Sequence, residues 1–248
     1  MAVGGADSCP RCLLTAADVD ADAPLTVDED ESAPCELLAV IGETTRAVTF
    51  LGQQTWPVER MVAFKLLKQD AACALAEPAP AARLRHTRIN AVLERGRIGS
   101  RAYIMTPYLG GGSLPAWCDR HGAIRSVRVA ALLAVAEALA YAHARGLGHG
   151  HLVAANVLCE SGSSCAPSIV DFLCNSRTGD ATLTVALARA DVEGLAGLAE
   201  VVLAGSLPDR TLAAVVEQLR KARAIDEVLE QLDELQSDAA GFPEHDHR

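Results

Sequence analysis

The chain is short of aromatic residues, short of positive charge and without long apolar runs. Phe, Trp and Tyr make up 4% of its 248 residues, so a core has to be built from Ala, Leu and Val. Twenty-two Lys and Arg stand against 32 Asp and Glu, giving a net charge of −10. A nucleic-acid binder needs a basic face, and this balance argues against one. No uninterrupted apolar stretch of ~18 residues occurs, which predicts that nothing spans a bilayer. No basic region followed by an apolar one opens the chain, so no secretory signal is visible. Of eight cysteines, six stand singly at 35, 73, 118, 159, 165 and 174. Without a secretion signal they are expected to be reduced, cytoplasmic thiols, and the isolated ones small core hydrophobes.

The remainder is globular in character: 50% apolar, 22% charged, with material for one large domain or two small lobes. Charge is unevenly spread. Residues 1–34 hold eight acidic side chains and one basic one, Arg11, so this leader carries −7 of the total and the rest is close to neutral at −3. Its composition predicts a solvated, disordered leader that can be removed without loss of folding. Within it, Cys9-Pro10-Arg11-Cys12 is half of a zinc knuckle, two thiolates where a tetrahedral Zn²⁺ needs four. His245 and His247 are distant in sequence. The open readings are an unliganded knuckle, which is preferred, and a zinc ion shared between two chains.

From Cys35 onward, Leu37–Ile41, Ala47–Gln53 and Met61–Leu67 are short, partly β-branched runs separated by turn residues, the pattern of an antiparallel sheet. A proline-broken helical stretch, Ala76–Ala82, precedes two more expected strands, Asn90–Arg95 and Ala102–Met105, with Gly96 and Gly99 between them. Past Gly110-Gly111-Gly112 the period becomes helical. Val129, Leu132, Leu133, Ala136, Leu139, Ala140 and His143 share one face, with Ser126 as the expected N-cap. Short strands are expected near Val157–Leu158 and Ile169–Val170, then helices over Asp191–Leu203 and Leu212–Leu235. The implied division is a leader 1–34, a sheet lobe 35–109, a helical lobe 110–237 and a polar tail 238–248.

Sheet lobe, glycine hinge, helical lobe, and a lysine on the third strand: in this order the chain resembles the bacterial Ser/Thr protein kinase superfamily over roughly residues 35–235. The resemblance implies an α+β, two-lobed protein-kinase-like fold, with an antiparallel N-lobe and a shortened, mostly helical C-lobe. Against the glycine-rich phosphate loop, Gly42-Glu43-Thr44-Thr45-Arg46-Ala47-Val48 keeps the first glycine, Gly42, and a valine, Val48; an ordinary strand turn is the alternative. Val62-Ala63-Phe64-Lys65 matches the strand whose lysine contacts the α- and β-phosphates. Its expected partner is Glu77, which Pro78 and Pro80 push to the start of a helix. Thr106 takes the gatekeeper position, and Leu109 the hinge position whose main chain reads adenine.

In the catalytic loop, His149, Leu152 and Asn156 match H-R-D-L-x-x-x-N. Gly150 replaces the Arg, His151 the Asp that accepts the substrate proton, and Val153 the Lys near the transferred phosphoryl group. A structural His151 is preferred to a catalytic one. Ile169-Val170-Asp171-Phe172-Leu173 resembles the metal-binding D-F-G stretch, making Asp171 and Asn156 the implied Mg²⁺ ligands. Asp191 resembles the Asp that anchors the catalytic loop from beneath. It follows Asp171 by only 20 positions and no A-P-E stretch occurs, which against the family implies that the peptide platform is missing. The implied function is a pseudokinase: a regulatory or scaffolding module for another protein, such as an active kinase, with weak or absent binding of ATP and Mg²⁺. The alternatives are an atypical active ATP-dependent Ser/Thr kinase and a decayed copy without activity.

Overall fold

Alternation along five strands builds the first part of the structure. The computed structural model describes residues 34–45, 47–68, 84–172 and 181–241. They fall into two compact units, Met1–Glu77 with Val92–Tyr108, and Pro78–Ala91 with Leu109–Arg248. The calls on residues 1–33, including Cys9 and Cys12, on Ala76–Ala82 with Glu77, and on His245 and His247 lie outside the described residues.

In the first unit, β1 (Glu36–Glu43), β2 (Ala47–Gln54), β3 (Arg60–Leu67), β4 (Glu94–Ile98) and β5 (Arg101–Pro107) form an antiparallel sheet in the order β1-β2-β3-β5-β4. The expected fourth strand is displaced: Asn90–Leu93 is not strand, and Gly96 lies within β4, paired with Tyr103, while the turn falls at Gly99-Ser100. Side chains two apart share a face. Phe50, Val62, Phe64, Leu66, Tyr103 and Met105 line one face as its core, with Val48, Leu37 and Ile98 packed on them. Phe64 stacks on Tyr103 at 4.9 Å, and Tyr103 Oη donates to Glu94 Oε1 at 2.6 Å. Few aromatics are present, and two of them meet here.

In the second unit, β6 (Gly112–Ser113), β7 (Val157–Cys159) and β8 (Pro167–Ile169) form a small antiparallel sheet beside α1 (Leu114–Arg120), α2 (Arg125–His143), α3 (Ala181–Leu203), α4 (Asp209–Lys221) and α5 (Ile225–Gly241). The glycine run is not slack, since Gly111 N–H donates to Cys159 O at 2.9 Å and Gly112 pairs with Cys159. Two boundaries differ from expectation. The N-cap of α2 is Ile124, in extended backbone, and Ser126 lies inside the first turn. The C-terminal helical stretch is two helices, the second reaching Gly241, so residues 238–241 are helix and not tail.

Helix α2 is the centre of this unit. By length and composition alone it could cross a bilayer. Val129, Leu132, Val135, Ala136 and Leu139 are nonetheless buried inside the unit, where α2 packs against α3 and α5, as a core helix does. Buried Leu195, Leu198 and Val202 of α3 and Val228 and Leu232 of α5 complete an aliphatic core.

One cation is built into that core. Arg128, 8% exposed, donates from Nε to Ala123 O at 2.7 Å, from Nη1 to Val202 O at 2.6 Å, and from Nη2 to Asp119 Oδ1 at 3.0 Å. It thereby ties α1, α2 and the C-terminal end of α3, where carbonyls lack helical partners and favour positive charge. Arg128→Met is expected to leave Ala123 O and Val202 O without partners and to cost about 3 kcal/mol. Urea unfolding checks this; a loss below about 1 kcal/mol would show the clamp to be incidental.

Candidate functional site

The sheet register decides which implied nucleotide residues share a face. Lys65 pairs with Thr49 on one side and Ile104 on the other, and Ala63 pairs with Leu51 and Thr106. Ala63, Lys65 and Thr106 therefore stand together on the face opposite the Phe50–Phe64 core, all half-buried. Gly42 pairs with Thr49 on the same face. Val48 does not belong to this group: it pairs with Leu66 and packs on the core face. Thr49, cross-strand from Lys65, holds the eighth position counted from Gly42. The spacing G-x-G-x-x-G-x-V would have found it, whereas matching residue type pointed to the neighbour. Leu109 opens the second unit and is buried.

The turn that would cradle phosphate is closed on itself. Thr44 N–H donates to Ala47 O at 2.9 Å, and Ala47 N–H donates to Thr44 Oγ1 at 3.1 Å. Both amides are spent on the turn, at the two positions where the family pattern has glycine. The Glu43 carboxylate pairs with Lys68 Nζ at 3.1 Å on the surface.

The loop of the second unit is organised around one carboxylate. Asp191 of α3 is 0% exposed; it accepts from His149 N–H at 2.8 Å, Gly150 N–H at 2.6 Å and His143 Nε2–H at 2.8 Å. The anchoring contact implied by the resemblance is thus present in geometry. Fully buried His149 donates from Nε2 to Val170 O at 2.9 Å, and its Nδ1 accepts from His151 N–H at 3.2 Å. Both ring nitrogens are occupied as in a neutral imidazole, and burial holds the pKa below its ordinary value against the pull of the Val170 carbonyl and of Asp191. The ring also meets Phe172 edge-on at 4.9 Å. His149 so holds the Val170 carbonyl before Asp171 and the Phe172 ring after it.

Asp171 is half-buried and has φ +67°, in the left-handed region that few non-glycine residues adopt and that clusters at functional sites. Asn156 Nδ2 donates to His151 O at 2.9 Å, and Asn156 O accepts from Val170 N–H at 2.9 Å. With its amide nitrogen so engaged, Asn156 presents Oδ1 as its remaining acceptor, and Asp171 a carboxylate, the hard oxygen donors that Mg²⁺ takes. The residues fit the ion by type. Among the described residues no group of three or more His, Cys, Asp and Glu is placed to hold a metal. His151 itself is exposed, as is Val153 at 39%.

Helix α3 reaches further towards the N-terminus than expected, beginning at Ala181 and not at Asp191. Its added turns carry Leu187 onto the loop. Gly150 has φ +74°, and a Cβ there would collide with Leu187 Cδ2; a Cβ on Gly148 would lie 2.5 Å from Leu187 Cβ. At the position where the family has Arg, the left-handed backbone favours glycine, and a larger residue would also have to displace the end of the Leu187 side chain.

Asp191→Asn is expected to cost about 3 kcal/mol, because one amide oxygen cannot replace a carboxylate facing three donors; urea unfolding measures it, and a cost under 1 kcal/mol would contradict the anchor. Titration gives an independent check. The unfolded chain protonates His149 near its ordinary value of about 6.5, and the folded chain only at lower pH, so the unfolded state binds more protons between the two. Stability is expected to fall as pH drops below about 6.5, with His86, likewise lowered by burial, adding the same sign. In His149→Asn the slope between pH 6.5 and 5 becomes shallower; an unchanged slope would exclude His149 as a source.

No protein-family model matches the chain, and neither does any curated protein. Solved structures do. The Mycobacterium tuberculosis PknI kinase domain matches with 25% identity over 84% of this chain and 96% of that one, at a TM-score of 0.59. A double-mutant form of the same domain matches with 26% identity over 84% and 97%, at 0.62, and another crystal structure of it with 23% over 85% and 97%, at 0.61. The likeness extends over nearly the whole of that domain. The chain has the α+β fold of a bacterial Ser/Thr protein kinase domain.

Proposed function

We propose that this kinase-like chain is a pseudokinase, a regulatory or scaffolding module that binds another protein, an active kinase being the first candidate. The observation that carries the proposal is helix α3. Only residues 172–180 separate Asp171 from its start at Ala181, and Leu187 closes on Gly148 and Gly150. Phosphoryl transfer depends on positioning and charge stabilisation, so a substrate hydroxyl has to be held in line with the phosphate. In this chain the base position is an exposed imidazole, the neighbouring cation is replaced by Val153, and the stretch that would align a peptide is helix. ATP binding is proposed to be weak or absent, because Thr44 and Ala47 spend their amides within the turn.

An active atypical kinase is the second reading, and one observation favours it: Asp171 keeps a strained left-handed backbone, and Asn156 presents an oxygen donor, as a metal pair would require. Mg²⁺, where bound, would neutralise phosphate charge; Asn156 and Asp171 are the residues that would hold it.

Two measurements decide. Titration with ATP, with and without Mg²⁺, is expected to give a Kd of ~0.1 mM or weaker, about −5.5 kcal/mol or less. Micromolar affinity abolished by Lys65→Met would mean that the turn does not limit binding. Transfer of γ-phosphate to a generic protein acceptor is expected to be absent in the wild type and in His151→Asp, since restoring the carboxylate aligns no substrate. Labelling by the wild type that disappears in Asp171→Ala would replace the pseudokinase proposal with the active-kinase one.

A further inference from the structure

In the second unit the stretch 84–91 lies against the end of α2, and hydrogen bonds on two sides give it a fixed course. Ile89 N–H donates to His86 O at 3.1 Å, closing a turn. Asn90 N–H donates to Ile169 O at 2.9 Å and Ile169 N–H to Arg88 O at 2.8 Å, which ties the stretch to β8. Arg85 N–H donates to Tyr141 Oη at 3.2 Å and ties it to the last turn of α2. Two side chains then pack on Tyr141. The Arg145 guanidinium carbon lies 3.6 Å from the centre of its ring, and the centre of the His86 ring lies 5.1 Å from it. Tyr141 and His86 are half-buried, and Arg145 is exposed.

These contacts orient donors without using them up. Arg145 Nη1 donates to Tyr141 O at 3.0 Å, so stacking and that bond together hold the guanidinium in one orientation. The same bond offsets a carbonyl at the negative end of the helix. Tyr141 Oη accepts from Arg85 N–H and keeps its own proton. His86 Nδ1 accepts from Arg88 N–H at 3.2 Å, which puts the proton of the neutral ring on Nε2. Burial, with Arg88, lowers the His86 pKa against the pull of Glu137, so the ring is neutral at pH 7. Nε and Nη2 of Arg145, the Tyr141 hydroxyl proton and His86 Nε2–H remain, and among the described residues none of them meets an acceptor.

We propose that His86, Tyr141 and Arg145 receive a phosphorylated Ser or Thr side chain of the partner protein. The inference rests on the reading of the chain as a protein-binding module and names the chemistry that the partner presents. A guanidinium held flat, a phenol and an imidazole N–H suit an oxyanion. A phosphate monoester has three terminal oxygens to meet them, where a carboxylate has two. An active Ser/Thr kinase makes phosphoserine and phosphothreonine, so the group belongs to the chemistry of the partner already proposed. Arg85 and Arg88 flank His86 and add positive charge, whereas Glu137, one turn before Tyr141, opposes an anion. None of these residues belongs to the loop around Asp191 or to the sheet face that carries Lys65.

A short Gly-Ala peptide with a central phosphothreonine is titrated at pH 7 into the isotope-labelled full-length chain, and amide shifts are followed by NMR. Saturable shifts are expected at residues 85–88 and 141–145, with affinity at least about tenfold above that of the same peptide carrying Thr or Glu. Arg145→Ala, a change at an exposed side chain, is expected to weaken binding about tenfold, and so is Tyr141→Phe in material with an unaltered circular dichroism spectrum. No binding, equal binding of the Thr peptide, shifts confined to other segments, or an Arg145→Ala variant that binds as the wild type does would overturn the proposal. Inorganic phosphate that binds more tightly than the phosphopeptide would make the free ion the ligand, and would overturn it too. Phosphate transfer by the wild-type chain would remove the pseudokinase reading and leave this site as measured. Peptide binding that fails in a chain without transfer would remove the site alone.

Discussion

The second unit depends on the buried carboxylate of Asp191. An ionised carboxylate out of water is costly unless its oxygens are occupied, and here two backbone amides and an imidazole N–H occupy them. Those donors come from the loop and from the end of α2, so a charge on one helix determines the course of the loop beside it. His149 extends the constraint. Its backbone is tied to Asp191 and its ring to the Val170 carbonyl, one residue before Asp171. The left-handed backbone of Asp171 therefore sits next to a segment held at both ends. The scaffolding of a catalytic loop is kept in a chain whose loop has lost the usual acid.

The loop keeps this scaffold while its residues at Gly150, His151 and Val153 depart from the family pattern. Leu187 and the two loop glycines make the same point at the level of packing. A Cβ at Gly150 would displace the end of the Leu187 side chain, so glycine in the loop and the N-terminal extension of α3 suit one another. The phosphate turn follows the same logic in the first unit. Thr44 stabilises the hairpin by using the amides that would otherwise face a ligand. In each place, a group that could serve a substrate is turned inward to serve the fold.

Cys118 of α1 and Cys159 of β7 are fully buried, as isolated cysteines in apolar surroundings are expected to be. The hydrogen bond from Trp117 Nε1–H to Gly162 O joins α1 to the β7–β8 connection, a contact that sequence separation conceals.

Much of the fold was legible in the linear chain, for physical reasons. Alternation over Ala47–Gln54 and Arg60–Leu67 marks half-buried strands, because successive side chains must point to opposite faces. The apolar period over Arg125–His143 marks a core helix. Motif order located Lys65, His149, Asn156 and Asp171, since those residues sit on short local segments. Registers and ends were not legible. Val48 matches the valine of the phosphate-loop pattern by type, but cross-strand pairing sets it on the core face and Thr49 beside Lys65, and pairing is a property of two strands. Ser126 looked like a cap by type, yet the α2 start is set by the turn that follows α1 and leaves Ile124 at that position. The extension of α3 over Ala181–Ala190 sets half-buried Leu187 against glycines some 40 positions earlier, and no local pattern carries that information. By itself the sequence determined most of the strand and helix segments and the positions that depart from the family pattern, because those depend on neighbours in the chain. Tertiary structure decided which side chains share a face and which donors are already spent, because both need contact between distant segments.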